Sequence, residues 1–359
     1  MEFIKPDIHI NFIGRRKFGF FVSGALILIT VVLLLARGGP NYGVDFAGGI
    51  LIQVRFNQQV TPDEIRNALR AIAMGDSFIQ EFGERGANEY LIRVSRTDVE
   101  LSGLDREVNQ ALTTAFGEQN VEVRRVEMVG PKIGEDLREK ALFAIFYALL
   151  FMVIYISGRF EYKWTLSIIM AASLAFGAYI VASLGLSVLW LIAVALVITI
   201  GMCWFLKLEY ALGAIIALFH DVLITMGAFA LTNREVTLPV VAALLTIVGY
   251  SLNDTIVVFD RIRENFGRYR GRNLPEVINR SINETLSRTM LTSLTTLIVV
   301  VCLFVLGGGV IHDFAFALLI GVIVGTYSSI FVASPILLLW SGTPWEAGGA
   351  QSKRRGKGR

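Results

Sequence analysis

The chain has 359 residues, 54% of them hydrophobic and 18% charged, with a formal net charge of +3 and a mean hydropathy of +0.60. That composition excludes an ordinary soluble domain, and so small a positive balance gives no reason to expect a specific nucleic-acid partner. Cys203 and Cys302 both sit inside apolar runs, so the polar part of the chain has no disulfide framework.

Apolar runs of about 20 residues, the length that crosses a bilayer, occur at eight places: 18–36, 141–157, 164–184, 187–206, 211–231, 238–259, 290–306 and 314–340. The first follows Arg15-Arg16-Lys17. It is too long for the apolar core of an export signal and no small-residue cleavage site follows it, so an uncleaved anchor is expected. The layout is a basic N-terminus and first span (1–36), a polar domain (37–140) and a second span (141–157). An apolar pair (158–207), a further bundle (208–345) with an interfacial helix within 262–287, and a basic tail (346–359) complete it.

Residues 37–140 read as a small α+β unit. Residues 50–56 alternate as a strand, and Thr61-Pro62-Asp63-Glu64 carries the cap, first-turn proline and acids of a helix start. Strands at 77–82 and 90–94, a helix over 104–116 and a strand over 121–128 follow. The order β-α-β-β-α-β predicts a ferredoxin-like split βαβ domain. It holds no histidine, cysteine or phosphate loop, which favours binding or coupling over chemistry.

Lysine and arginine of the short loops fix the expected orientation. Arg15, Arg16, Lys17, Arg159, Lys163, Lys207, the arginines between Arg261 and Arg280 and the tail fall on one side; the opposite short loops hold little beyond Arg37 and Arg234. Both termini are therefore expected in the cytoplasm and the polar domain outside. The tail and the basic helix before Arg288 suit contact with anionic lipid headgroups.

Ionisable residues inside apolar runs are rare unless they pair, line water or carry protons and ions. Three runs hold one: Asp221 beside His220, Asp254 after Asn253, and Arg288. Asp254 lies about 16 residues into its run, roughly 24 Å along at 1.5 Å per residue, and Arg288 enters from that same side. The two are expected to meet at one depth, each offsetting the other's desolvation. Tyr250 and Asn253 flank the acid; Thr292 and Thr296 flank the arginine, at a spacing that supports a water chain or bonds to a neighbouring helix. Asp254 then takes up and releases protons with Arg288 stabilising its ionised form, or the pair is static and fixes helix register. His220 reads as a packed, hydrogen-bonded side chain. Asp45, Gly48 and Gly49 mark a tight turn into the first strand, Asp45 as a cap or a substrate contact. Gly130, Pro131 and Gly134 mark the return to the membrane and suit hinges.

Five motifs stand in order: Val44-Asp45-Phe46-Ala47-Gly48-Gly49, Val129-Gly130-Pro131-Lys132-Ile133-Gly134, Phe219-His220-Asp221-Val222, the run Gly249-Tyr250-Ser251-Leu252-Asn253-Asp254-Thr255, and Ser287-Arg288-Thr289. Together they resemble the SecF side of the SecD–SecF family of bacterial protein-export membrane proteins. The resemblance implies a polytopic α-helical fold of the resistance-nodulation-division type with one extracytoplasmic domain, set in the inner membrane. It implies SecD as partner beside the SecYEG channel, with a YidC-type insertase nearby and an unfolded exported polypeptide as cargo. Proton passage is implied for Asp254 and Arg288, and less directly for Asp221. The chain departs from the family's six spans by about 48 residues carrying the extra pair; Phe160-Glu161-Tyr162 and Leu208-Glu209-Tyr210 at its junctions hint at a partial duplication. An even number of added spans preserves the orientation of later helices, and the pair's apolar side chains favour the lipid periphery. A scaffold without ion flow, or a small-molecule or lipid transporter of the same superfamily, are the alternatives. With no nucleotide loop, metal-spaced His/Cys set or nucleophile–base pair, no enzyme, cofactor or metal site is expected.

Overall fold

The computed structural model describes residues 9–72, 74–75, 77–82, 86–94, 103–161, 164–184, 188–269 and 273–340. The basic tail and Tyr162 of the first junction lie outside them. Helix α1 (Arg16–Ala36) leads through one helical turn, α2 (Val44–Ala47), into the sheet domain. Strand β1 (Gly49–Phe56) is followed by α3 (Pro62–Leu69), β2 (Phe78–Phe82), β3 (Glu89–Val94), α4 (Leu104–Phe116) and β4 (Val121–Val129). The sheet runs β2-β3-β1-β4, and every neighbouring pair is antiparallel.

Alternation decides which face is covered. Ile50, Ile52, Val54 and Phe56 are buried against Ile65, Leu69, Val108 and Leu112 of the two helices. Helix α3 starts with a capping box: Thr61 Oγ1 accepts from Glu64 N, and the Glu64 carboxylate accepts from Thr61 N at 2.7 Å. Those bonds hold the Glu64 carboxyl below its usual range. The other sheet face, carrying Leu51 and Arg93, is turned toward the loops at one end of the helix bundle.

The bundle comprises α5 (Pro131–Glu161), α6 (Trp164–Ser183), α7 (Val188–Phe205), α8 (Glu209–Thr232), α9 (Leu238–Arg268), α10 (Leu274–Leu306) and α11 (Gly309–Ser328). Among the described residues, six stretches are long and apolar enough to cross a membrane: Ile13–Ala36, Pro131–Phe160, Glu209–Thr232, Leu238–Arg268, Leu274–Leu306 and Ile311–Leu339. Helices α6 and α7 form the added apolar pair, joined by Ser173 Oγ to Met202 Sδ (2.8 Å). The pair packs on α5 and α8 and exposes Ile168, Phe176, Tyr179, Val197 and Phe205. Burial ranks the spans. Helices α8, α9 and α11 form the centre, whereas α1 and α10 keep most of their apolar surface outward.

The bundle corrects two expectations and shows how the last span ends. No separate interfacial helix lies within 262–287. Helix α9 continues to Arg268, and α10 runs unbroken from Leu274 because neither glycine nor proline interrupts it between Pro275 and Gly307. The last span is not one regular helix, since α11 ends in a π-helical turn, Ser329–Ala333. Of the two glycines read as hinges, Gly134 is close-packed, whereas Gly130 has room for a Cβ; Gly48 holds the tight turn expected of it. Gly48 has φ +72°, and a Cβ there would stand 2.8 Å from Pro131 Cα. On Gly134 a Cβ would stand 3.0 Å from Phe46 O. Pro131 opens α5, where its missing N–H costs nothing. The two glycine motifs thus form one close joint, to which Asp45 adds a cross-link: its Oδ2 accepts from Leu238 N at 2.9 Å, capping α9.

Candidate functional site

The centre of the bundle holds a polar cluster. Asp221 on α8 is fully buried, and its carboxylate accepts three hydrogen bonds. They come from His220 Nδ1 (2.8 Å), Ser251 Oγ on α9 (2.5 Å) and Ser328 Oγ on α11 (2.8 Å). With the carboxylate ionised it only accepts, His220 Nδ1 is then the donor, and His220 Nε2 meets Ser23 Oγ on α1 at 3.0 Å. Ser23 also meets Tyr327 Oη (3.2 Å), which donates to Gly19 O (2.7 Å). One acid therefore ties together four helices. Small residues permit the approach: a Cβ on Gly325 would meet Ser251 Cβ at 3.1 Å.

Asp254 lies one turn beyond Ser251 on α9 and is 2% exposed. Its side chain has one hydrogen bond, from Ser293 Oγ on α10 at 3.3 Å; Thr326 Oγ1 on α11 donates in turn to Ser293 Oγ at 2.7 Å. Two buried acids thus share a hydroxyl-lined core, one saturated with donors and the other thinly held.

Arg288 does not complete the second site as expected. It is exposed and forms no ion pair with Asp254, although its charge still acts on that carboxylate over the longer gap. It lines an open cavity of about 540 Å³ at the end of the bundle away from the sheet, together with Tyr155, Asn253, Asp260, Glu284 and Thr285. Arg159 and Asp260 form an ion pair beside this cavity at 2.6 Å. Of the other predicted residues, Tyr250 has a buried hydroxyl without a protein partner. Thr292 donates to carbonyls of its own helix at Arg288 and Thr289, so the face of α10 turned inward carries Thr289 and Ser293 instead. Thr296 is half-buried. His220 proves to be the packed, hydrogen-bonded side chain expected.

Sequence reasoning placed Ser293 beside the Arg288 face but missed Ser23, Ser251, Thr326, Tyr327 and Ser328. Hydroxyls are common in apolar helices, where they usually bond their own backbone, and nothing local separates those that face an acid. It also missed a second charge cluster at the sheet end. Arg93 of β3 pairs with Glu235 at 2.6 Å and donates to Tyr42 O at 3.0 Å, while Arg234 pairs with Asp313 and reaches His312. Burial lifts the Glu235 carboxyl above its usual range, with Arg93 pulling the other way. Among the described residues no group of three or more His, Cys, Asp or Glu is placed to hold a metal ion.

Comparison with known proteins accounts for this arrangement. The chain matches the family model for the C-terminal part of the protein export membrane proteins SecD/SecF over residues 108–201 and 182–343, so that 182–201 fall in both segments. The model for the SecD/SecF GG motif matches residues 33–60, which hold Asp45, Gly48 and Gly49. The protein translocase subunit SecF of Magnetococcus marinus is 45% identical over 347 residues, covering 94% of each chain. That of Vibrio alginolyticus is 40% identical, covering 94% of this chain and 91% of its own. Among solved structures, SecDF of Thermus thermophilus, a translocon-associated membrane protein, superposes with a TM-score of 0.69 at 31% identity, covering 95% of this chain. A SecDF structure in a super-membrane-facing form gives 0.59 at 32% identity. The chain spans 40% of each SecDF chain. With relatives of this identity matched along almost their whole length, the chain belongs to the SecF family of protein translocase subunits, multi-pass membrane proteins of protein export.

Proposed function

We propose that this chain passes protons through its bundle and uses that flow to move the sheet domain during export, and that Asp254 takes up and releases the protons. The observation that carries this reading is the poor housing of Asp254: 2% exposed, with a single 3.3 Å hydrogen bond and no cation in contact. Burying a charge without partners costs several kcal/mol, so such a site changes charge as its surroundings move. Arg288 supplies the changing partner. Its approach to Asp254 stabilises the ionised form, and its withdrawal into the cavity releases that form.

The bias of lysine and arginine in the short loops supports a cytoplasmic side for both termini and the Arg288 cavity and an outer side for the ferredoxin-like sheet domain. The close joint of Gly48, Pro131 and Gly134, with the Asp45 cap on α9, transmits helix movement to that domain as a rigid unit. A SecD-type subunit supplies the remainder of the assembly, in keeping with the length of the SecDF chains. SecYEG and a YidC-type insertase are the neighbours this role requires, and the cargo is the unfolded polypeptide. A static role finds its support at Asp221, whose saturated hydrogen bonds suit a lock on helix register.

The test is proton flux in vesicles holding the chain with a SecD-type partner. Asp254→Asn stops the flux and leaves assembly intact. Undiminished flux in that variant would return the chain to the role of a scaffold.

A further inference from the structure

We infer that Thr285, Thr289 and Ser293, on one face of α10, form a hydroxyl ladder that leads water from the open cavity of about 540 Å³ to Asp254. The inference rests on the proton role of Asp254. Its two ends are fixed by contacts: Thr285 lines the cavity, and Ser293 Oγ donates to Asp254 Oδ2. Thr289 is the middle rung. It is 2% exposed, and its hydroxyl has no partner in the protein among the described residues.

That isolation is informative. Thr285, Thr292 and Thr295 each donate to carbonyls three and four residues back, the ordinary resort of a threonine in an apolar helix. Thr289 alone of these four does not, and a buried hydroxyl left unbonded is rare. Rungs four residues apart are separated by about 6 Å along the axis. That is too far for direct hydrogen bonds and right for one bridging water per step. The cavity at the foot of the ladder is polar, with Asn253, Asp260, Glu284 and Arg288 in its wall, so water reaches Thr285 readily. The Arg159–Asp260 pair, joining the end of α5 to α9, stands beside this opening.

The experiment uses the chain with its two cysteines replaced, Cys203→Ala and Cys302→Ser, in vesicles with a SecD-type partner. A small membrane-impermeant methanethiosulfonate is applied to the face away from the sheet domain. Thr285→Cys and Thr289→Cys react at least tenfold faster than Val300→Cys, which is buried on the same helix beyond the ladder. Thr289→Val lowers proton flux at least tenfold, and Thr289→Ser retains it. Reaction of Thr289→Cys no faster than that of Val300→Cys, or full flux in Thr289→Val, overturns the ladder. If Asp254→Asn keeps its flux, the proton reading fails by itself, and the labelling rates still decide whether the path is wet.

Discussion

Acids are held away from water at the sheet end, partly buried, and in the bundle, fully buried, and their partners differ in kind. At the sheet end, Glu235 and Asp313 face the guanidinium groups of Arg93 and Arg234. In the bundle, Asp221 and Asp254 face hydroxyls and one imidazole. A guanidinium only donates and keeps its charge, so it holds a carboxylate in one state. A hydroxyl donates or accepts, and so serves a carboxylate and a carboxylic acid equally. The first region is built to hold the sheet domain on the bundle, the second to tolerate a changing charge.

Five substitutions would break or sharpen that contrast. Asp221→Ala strands three donors among four helices and lowers stability by about 3 kcal/mol or more, whereas Asp254→Ala loses one long bond and costs much less. Thermal unfolding in detergent checks this, and equal losses would erase the distinction between the two acids. Gly134→Val drives a side chain into the backbone of Phe46 and Gly48. A loss of about 2–3 kcal/mol is expected, seen as faster proteolysis between the sheet domain and α5. Arg93→Met leaves Glu235 unpaired at a partly buried site and costs about 2 kcal/mol, read from the unfolding of the sheet domain on the bundle. Asp45→Ala removes the cap of α9, worth about 1 kcal/mol, and the same melt measures it.

The pH response of Glu235 is the smallest effect and has a definite sign. Burial raises its pKa above the ordinary 4.5, with Asp313 and Asp45 adding to the rise and Arg93 opposing it. The folded chain then binds the proton more tightly than the unfolded chain. This contribution to stability is complete below about pH 4.5 and fades as the pH climbs through the raised value. Glu235→Gln flattens that slope. A profile that keeps its slope after the substitution assigns the titration to another group.

Much of the sheet domain was legible beforehand. Helix 104–116 and the strands fell within a residue or two of their observed bounds, because alternation and capping are local signals. The burial of Asp221 and Asp254 was legible too, since an acid inside an apolar run must be dealt with somewhere. The meeting of Asp254 with Arg288 was not. That expectation assumed a span beginning at Arg288, whereas α10 begins at Leu274 and presents Thr289 and Ser293 inward while Arg288 opens on the cavity. Gly134, read as a hinge, is close-packed while Gly130 is not, because a glycine serves either purpose and only its neighbours select one.

By itself the chain of residues determined where its apolar helices lie along the sequence, the order of strands along the sheet domain and the acids placed within the bundle, since each depends on spacing over a few turns. Tertiary structure alone decided which hydroxyls reach those acids and which arginines do not. Those contacts depend on how α8, α9 and α11 are rotated against one another, and that rotation is set by close approaches such as Gly325 against Ser251, between residues far apart in the chain.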